Sequence, residues 1–118
     1  MMIKKNRQYT MTNLTQKTCV ACEGGAEPLQ GEKLRRYLKE IEDWQLEEGQ
    51  KIQKKFEFKN FKEAIAFVNK VGEIAESEGH HPDIHLVLYK NVVIELWTHA
   101  IHGLSENDFI VAAKINLL

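Results

Sequence analysis

Apolar residues repeat along this chain with two periods, and segments of each kind alternate. Over residues 31–41, Leu34, Tyr37, Leu38 and Ile41 share one side of a helix. Residues 44–46 and 51–58 read as strands joined across Glu47-Glu48-Gly49-Gln50. In the second of these, Ile52, Lys54, Phe56 and Phe58 alternate imperfectly with Gln53, Lys55 and Glu57, as in a half-buried antiparallel strand. Asn60 then fits the N-cap of a longer helix, with Glu63 three positions on in capping-box spacing. Its apolar face is Phe61, Ala64, Ile65, Val68, Val71, Gly72 and Ala75; Gly79 suits the left-handed residue at its end, and Pro82 prevents continuation.

Residues 84–89 and 92–98 are rich in β-branched and aliphatic side chains, and Lys90-Asn91 fits a two-residue turn between them. Ser105 with Asp108 three residues later opens a last helix running through Phe109, Ala112, Ala113 and Ile115. The order α-β-β-α-β-β-α predicts a two-layer α+β domain, one antiparallel sheet with helices packed on it. With Lys90-Asn91 as the turn, residue 89 faces 92. One side of the hairpin then carries Val87, Tyr89, Val92, Ile94 and Leu96, the other Ile84, Leu86, Leu88, Val93 and Trp97. Helices on one side leave the second apolar face uncovered, so a homodimer or homotetramer is expected.

Composition narrows the function classes. The 118 residues suit one domain, and 16 Lys+Arg against 17 Asp+Glu supply no basic field for a phosphate backbone, so direct nucleic-acid binding is not expected. No apolar run is long enough for a membrane span or a signal-peptide core, and a cytoplasmic protein is the plain expectation. Residues 1–26 are expected to form a flexible tail ahead of a domain at 27–118, with Met11 as an alternative start. The tail holds both cysteines, Cys19-Val-Ala-Cys22. Without a second pair they make no four-ligand zinc site, and the Gly-rich surroundings do not suit a thioredoxin-like motif. Reduced, unliganded thiols are the first reading; a metal bridging two chains is the other.

The chemistry concentrates elsewhere. All five histidines lie within 23 residues, as His80, His81 and His85, then His99 and His102. The two-residue turn would set Pro82 opposite His99, and paired strands lie about 4.8 Å apart, bringing His99 within reach of His80 or His81. His80 also follows a helix C-terminus, whose partial negative charge attracts a cationic ring, so one imidazole could donate a proton while a neighbour accepts one. Taken alone, a histidine pair at a helix-to-strand junction is more often a surface turn than a catalytic pair. His85 within a strand and His102 beside Gly103 keep that plainer reading, Asp108 fits a carboxylate stabilising its own helix, and Trp44 and Trp97 fit packing. Metal binding through His81-x-x-x-His85 is opposed by strand geometry, which sets the two about 13 Å apart.

The compound pattern Glu76-x-x-x-His80-His81-Pro82, then Tyr89, His99 and Asp108, resembles the signature of the pterin-4a-carbinolamine dehydratases. Six residues separate Pro82 from Tyr89 and nine separate Tyr89 from His99. The similarity includes Trp44, Phe56-x-Phe58-Lys-Asn-Phe61, Ala75-Glu76, Thr98-His99 and Gly103-Leu-Ser-Glu-Asn-Asp108-Phe, and covers about residues 27 to 118 with the tail outside it; Cys19-x-x-Cys22 upstream also resembles many bacterial members. It implies a four-stranded antiparallel sheet with three helices on one face, and loss of water from 4a-hydroxytetrahydropterin without metal or organic cofactor. By resemblance His80 and His99 are the acid/base candidates. His81 with Pro82 would bind and orient the pterin, and Glu76 and Asp108 would hold histidines or ring nitrogens. The resemblance also carries two other functions: a dimerisation cofactor of a homeodomain transcription factor, as in animal members, and a role in another pterin pathway such as molybdopterin metabolism.

Overall fold

A computed structural model describes residues 12–20 and 26–118; Met11 and Cys22, singled out above, lie outside the described residues. Four helices, α1 (Thr12–Thr15), α2 (Gly31–Lys39), α3 (Phe61–Glu78) and α4 (Glu106–Asn116), accompany four strands, β1 (Gln45–Glu47), β2 (Lys51–Glu57), β3 (Asp83–Val87) and β4 (Asn91–Leu96). The sheet is antiparallel throughout in the order β1-β2-β4-β3. Apart from the one-turn α1, this is the expected α+β order. Ile52, Val92, Ile94 and Leu96 are fully buried on the inner face of the sheet, beneath Ala64, Val71 and Phe109 of the helices.

The start of α3 follows from its sequence. Asn60 Oδ1 accepts from Glu63 N–H at 2.9 Å, while Glu63 reaches one residue further back than a capping box requires, accepting from Lys59 N–H at 3.2 Å. At the other end Gly79 adopts φ 66°, and His80 N–H bonds back to Ala75 O at 3.2 Å. The buried face is rotated from the expected one. Phe67, absent from the 3-4 pattern, is buried against Phe56 and Phe58, whereas Phe61 and Ile65 are exposed.

The second hairpin corrects the expected turn. Val87 pairs with Asn91, so the loop is Leu88-Tyr89-Lys90, with Leu88 and Tyr89 at φ 50° and 57°. Asn91, expected in the turn, stays in β4, and its side-chain amide donates to Val87 O at 3.4 Å. Residue 83 now faces 95, not 98, which removes the pairing of Pro82 with His99. An odd change of register also exchanges faces. Ile84 and Leu86 join Val92 and Ile94 on the inner side, and the outer face alternates Val87, Val93 and Trp97 with Asp83, His85, Asn91 and Glu95. That face is mixed rather than apolar.

Part of the stretch expected as a flexible tail packs on the domain. α4 is buried around almost its whole circumference, from Asn107 through Ala113 and again at Ile115. A helix of that kind needs cover on more than one side. The sheet supplies one cover; α1, through fully buried Leu14, and α2, through Leu34, contribute to the other. No helix among the described residues is long and apolar enough to cross a membrane.

Candidate active site

Asp108 organises the corner where α3 ends and α4 begins. It is the third residue of α4, is fully buried, and has a partner on each oxygen. Oδ2 accepts from Ser105 N–H at 2.9 Å, which caps the helix, and from the Thr98 hydroxyl at 2.8 Å. Oδ1 lies 2.6 Å from His80 Nε2. An ionised carboxylate only accepts, so the short contact calls for the ring proton on Nε2 and turns Nδ1 away from Asp108. Helix capping and histidine binding are thus two uses of one side chain, and the plain reading of Asp108 was half of its role.

Two elements fix His80 from behind. Its backbone closes the C-terminal turn of α3, and its side chain is only 13% exposed. Thr98, 4% exposed, shares Asp108 with it and is hydrogen-bonded to Ser105 Oγ at 2.8 Å. Thr98 also pairs with Gly103, its N–H donating to Gly103 O at 2.7 Å, and this closes a short loop with a 3-10 turn at His99–Ile101. Glycine is required there: a Cβ at 103 would stand 2.7 Å from the Pro28 ring. His99 therefore emerges from the residue next to one that shares a carboxylate with His80. Its ring is exposed and packs on Trp97, the centroids 4.1 Å apart and the planes 35° from parallel.

The other residues of the sequence pattern divide. His81 Nε2 lies 3.2 Å from Glu76 Oε2, one turn back on α3, and both side chains are largely exposed. Pro82 is half-buried and carries the chain into β3. His85 stands on the outer sheet face 3.5 Å from Glu95, and His102 is exposed in a left-handed conformation at φ 53°. Tyr89 sits exposed at the tip of the hairpin. Trp44 is a core residue whose indole N–H donates to Asn116 Oδ1 at 3.0 Å. Among the described residues no three His, Cys, Asp or Glu side chains are grouped to hold a metal ion.

The sequence assigns no role to Thr98, Glu78 or Asn107, although Thr98 and Asn107 stand inside the pattern that carries the family resemblance. Each takes its meaning from a contact beyond its own element: Thr98 through Asp108, Glu78 through Cys19 and Lys114, and Asn107 through Val20. Cys19 N–H donates to Glu78 Oε1 at 2.8 Å, and Lys114 donates to Glu78 Oε2. Burial opposes ionisation of Glu78, but these two donors outweigh it and hold the carboxyl below its ordinary value of 4.5. Burial, aided by that negative charge, pushes the Cys19 thiol up to about 12. Cys19 is thus a neutral thiol at physiological pH, poorly suited to attack or to bind metal.

The chain resembles known proteins along most of its length. Residues 27–118 match the family model described as Pterin 4 alpha carbinolamine dehydratase. A relative from Nitrosomonas europaea is 47% identical over 112 residues, spanning 92% of this chain and 97% of its own. One from Alkaliphilus metalliredigens is 44% identical over 107 residues, 90% of this chain and 96% of its own. Both are provisionally named pterin-4-alpha-carbinolamine dehydratase. Among solved structures, the transcriptional coactivator/pterin dehydratase of Brucella melitensis superposes with a TM-score of 0.71 at 30% identity, over 77% of this chain and 97% of its own. A pterin dehydratase-like protein, identified as a RuBisCO assembly factor in the alpha-carboxysome, reaches 0.54 at 23% identity over 64% of this chain and 87% of its own, a likeness of fold alone.

Proposed function

The chain belongs to the pterin 4 alpha carbinolamine dehydratases, a family of lyases, and from that premise we propose its reaction and the residues that carry it. The reaction is loss of water from 4a-hydroxytetrahydropterin to give quinonoid dihydropterin, the step that restores a pterin after an aromatic amino acid hydroxylase has used it. The lone pair of the ring nitrogen beside C4a forms a double bond to that carbon as the C4a–oxygen bond breaks. One imidazole protonates the departing hydroxyl, which leaves as water, and a second takes the proton from the nitrogen. Nothing is oxidised or reduced, and two proton-transfer groups suffice.

His80 and His99 are the acid/base pair in this reading. The observation that carries it is the 2.6 Å contact between His80 Nε2 and the fully buried Asp108, which leaves Nδ1 as the ring atom able to exchange a proton with a bound molecule. Asp108, with both oxygens engaged, holds His80 rather than the pterin. His81, exposed with Glu76 beside it and Pro82 stiffening the chain behind, binds and orients the ring. The catalytic domain is residues 27–118, and its working form is a homodimer or homotetramer. Exposed Val87, Leu88 and Tyr89 on the β3 hairpin and Phe61 on α3 support that assembly, which light scattering returning only 13.7 kDa would refute. The setting is the cytoplasm, which cell fractionation tests.

Stopped-flow absorbance of the dehydration step, run in chelator, tests the reaction. The expected result is a rate well above the spontaneous one and proportional to enzyme. A rate equal to the spontaneous one would overturn the enzymatic reading and leave a binding role, of the kind named beside dehydratase for the Brucella melitensis transcriptional coactivator/pterin dehydratase.

A further inference from the structure

The segment ahead of the family-matched region grips the His80–Asp108 corner on both sides. Cys19 N–H bonds to Glu78, the last residue of α3 and two before His80. Val20 makes two hydrogen bonds with one side chain: its N–H donates to Asn107 Oδ1 at 3.1 Å, and its carbonyl accepts from Asn107 Nδ2 at 2.6 Å. Asn107 immediately precedes Asp108. The Cys19 thiol adds a weak contact to the Asn107 carbonyl at 3.6 Å. An amide side chain used in this way completes a backbone ladder and holds a peptide unit whatever its side chain.

These contacts are part-buried, sheltered on the side of Glu78 and Asn107 and not on that of Val20, which is 72% exposed. Asn107 is 6% exposed and the Glu78 side chain 7%, so water competes little for either. Upstream, Leu14 is buried in the core, and Lys17 pairs with Glu106 at 2.5 Å in the first turn of α4. His80 lies just past the end of α3 and Asp108 in the first turn of α4, 28 residues on, and the two meet at 2.6 Å. Such a contact survives only if the end of α3 and the start of α4 keep their relative position. The segment 17–20 bonds to Glu78, two residues before His80, and to Asn107, the residue before Asp108, and so joins the two ends.

We infer that residues 17–20 are a positioning strap for the His80–Asp108 pair, with Asn107 as the side chain through which the strap acts. The inference rests on the reading of His80 as an acid/base group. It gives the chain ahead of residue 27 a part in turnover that its distance in sequence from the histidines conceals. A proton-transfer group must be held to within about 0.5 Å of its productive placement, and the strap restrains the two elements that set that placement.

The test uses the full chain carrying Asn107→Ala, followed by proton NMR and steady-state kinetics. In the unaltered protein the buried His80 Nε2 proton should give a low-field resonance in slow exchange with water, assigned by its loss in His80→Gln. In Asn107→Ala this resonance should broaden or vanish. The turnover number should fall about 5- to 50-fold with KM nearly unchanged, short of the roughly 100-fold that a 1 Å misplacement costs. In an Asp108→Asn background the same substitution should cause no further fall, since both act through one contact. Ile52→Val, a trim of the sheet core far from the strap, should lower the melting temperature while leaving the resonance and turnover in place. Should Asn107→Ala fail to fold, Val20→Pro removes the N–H from the strap side and carries the same readouts. A variant that melts earlier yet keeps both the resonance and the turnover would overturn the inference. If His80→Ala itself retained full turnover, the catalytic reading would fall instead, and the resonance would still decide whether the strap positions the pair.

Discussion

Among the histidine–carboxylate pairs of the described residues, two stand at different depths. At the α3–α4 corner, His80 and Asp108 meet at 2.6 Å with side chains 13% and 0% exposed; on the outer sheet face, His85 and Glu95 meet at 3.5 Å with 51% and 20% exposed. Both join an imidazole to a carboxylate, but only the first carboxylate accepts hydrogen bonds from further donors, Ser105 N–H and the Thr98 hydroxyl, so that it cannot turn away. The second shares its glutamate with Lys51 at 3.7 Å in contact with water. Burial and independent anchoring turn a common pair into a fixed instrument; exposure leaves it a screened surface contact.

Turnover should separate the pairs most. A positioned general acid or base contributes about 10² to 10⁴ in rate, so His80→Ala and His99→Ala should each lose that much, and His85→Ala close to nothing. Steady-state dehydration kinetics on the three variants would break the comparison if His85→Ala proved as damaging as His80→Ala.

Stability should follow in the same direction. Asp108→Ala removes a helix cap and leaves the Thr98 hydroxyl and His80 ring short of a partner, at a cost of about 2–4 kcal/mol. Glu95→Ala should cost under about 1 kcal/mol, as surface pairs do. Urea unfolding monitored by circular dichroism would show whether the two midpoints differ in that order.

Acid should sharpen the contrast by a smaller effect. Glu78, beside the buried pair, has its pKa held down by the Lys114 ammonium and Cys19 N–H in the face of its own burial, and Glu106 has its own held down chiefly by Lys17. A carboxyl with a depressed folded-state pKa contributes stability that is present above its ordinary value of 4.5 and lost as the pH falls through the folded value. Melting temperature should therefore drop on acidification below that value, and Glu78→Gln should flatten the decline. An equally steep fall in Glu78→Gln would place the acid sensitivity elsewhere.

The alternation of periods, the Asn60 and Ser105 starts and the Gly79 stop determined the elements and their order, because each is a local matter of backbone and capping chemistry. The spacing from Glu76 to Asp108 marked which histidines to watch. Pairing register was beyond such reading: the loop is Leu88-Tyr89-Lys90 rather than Lys90-Asn91, a register that packs half-buried Ile84 and Leu86 beside Val92 and Ile94. Local turn preference amounts to tenths of a kilocalorie and core burial to about 1.5–3 kcal/mol per side chain, so the core decides. Asn107 and Thr98 acquire meaning only where remote segments meet. A side chain's partner 10 or 87 residues away is set by how whole elements pack, which no local pattern contains.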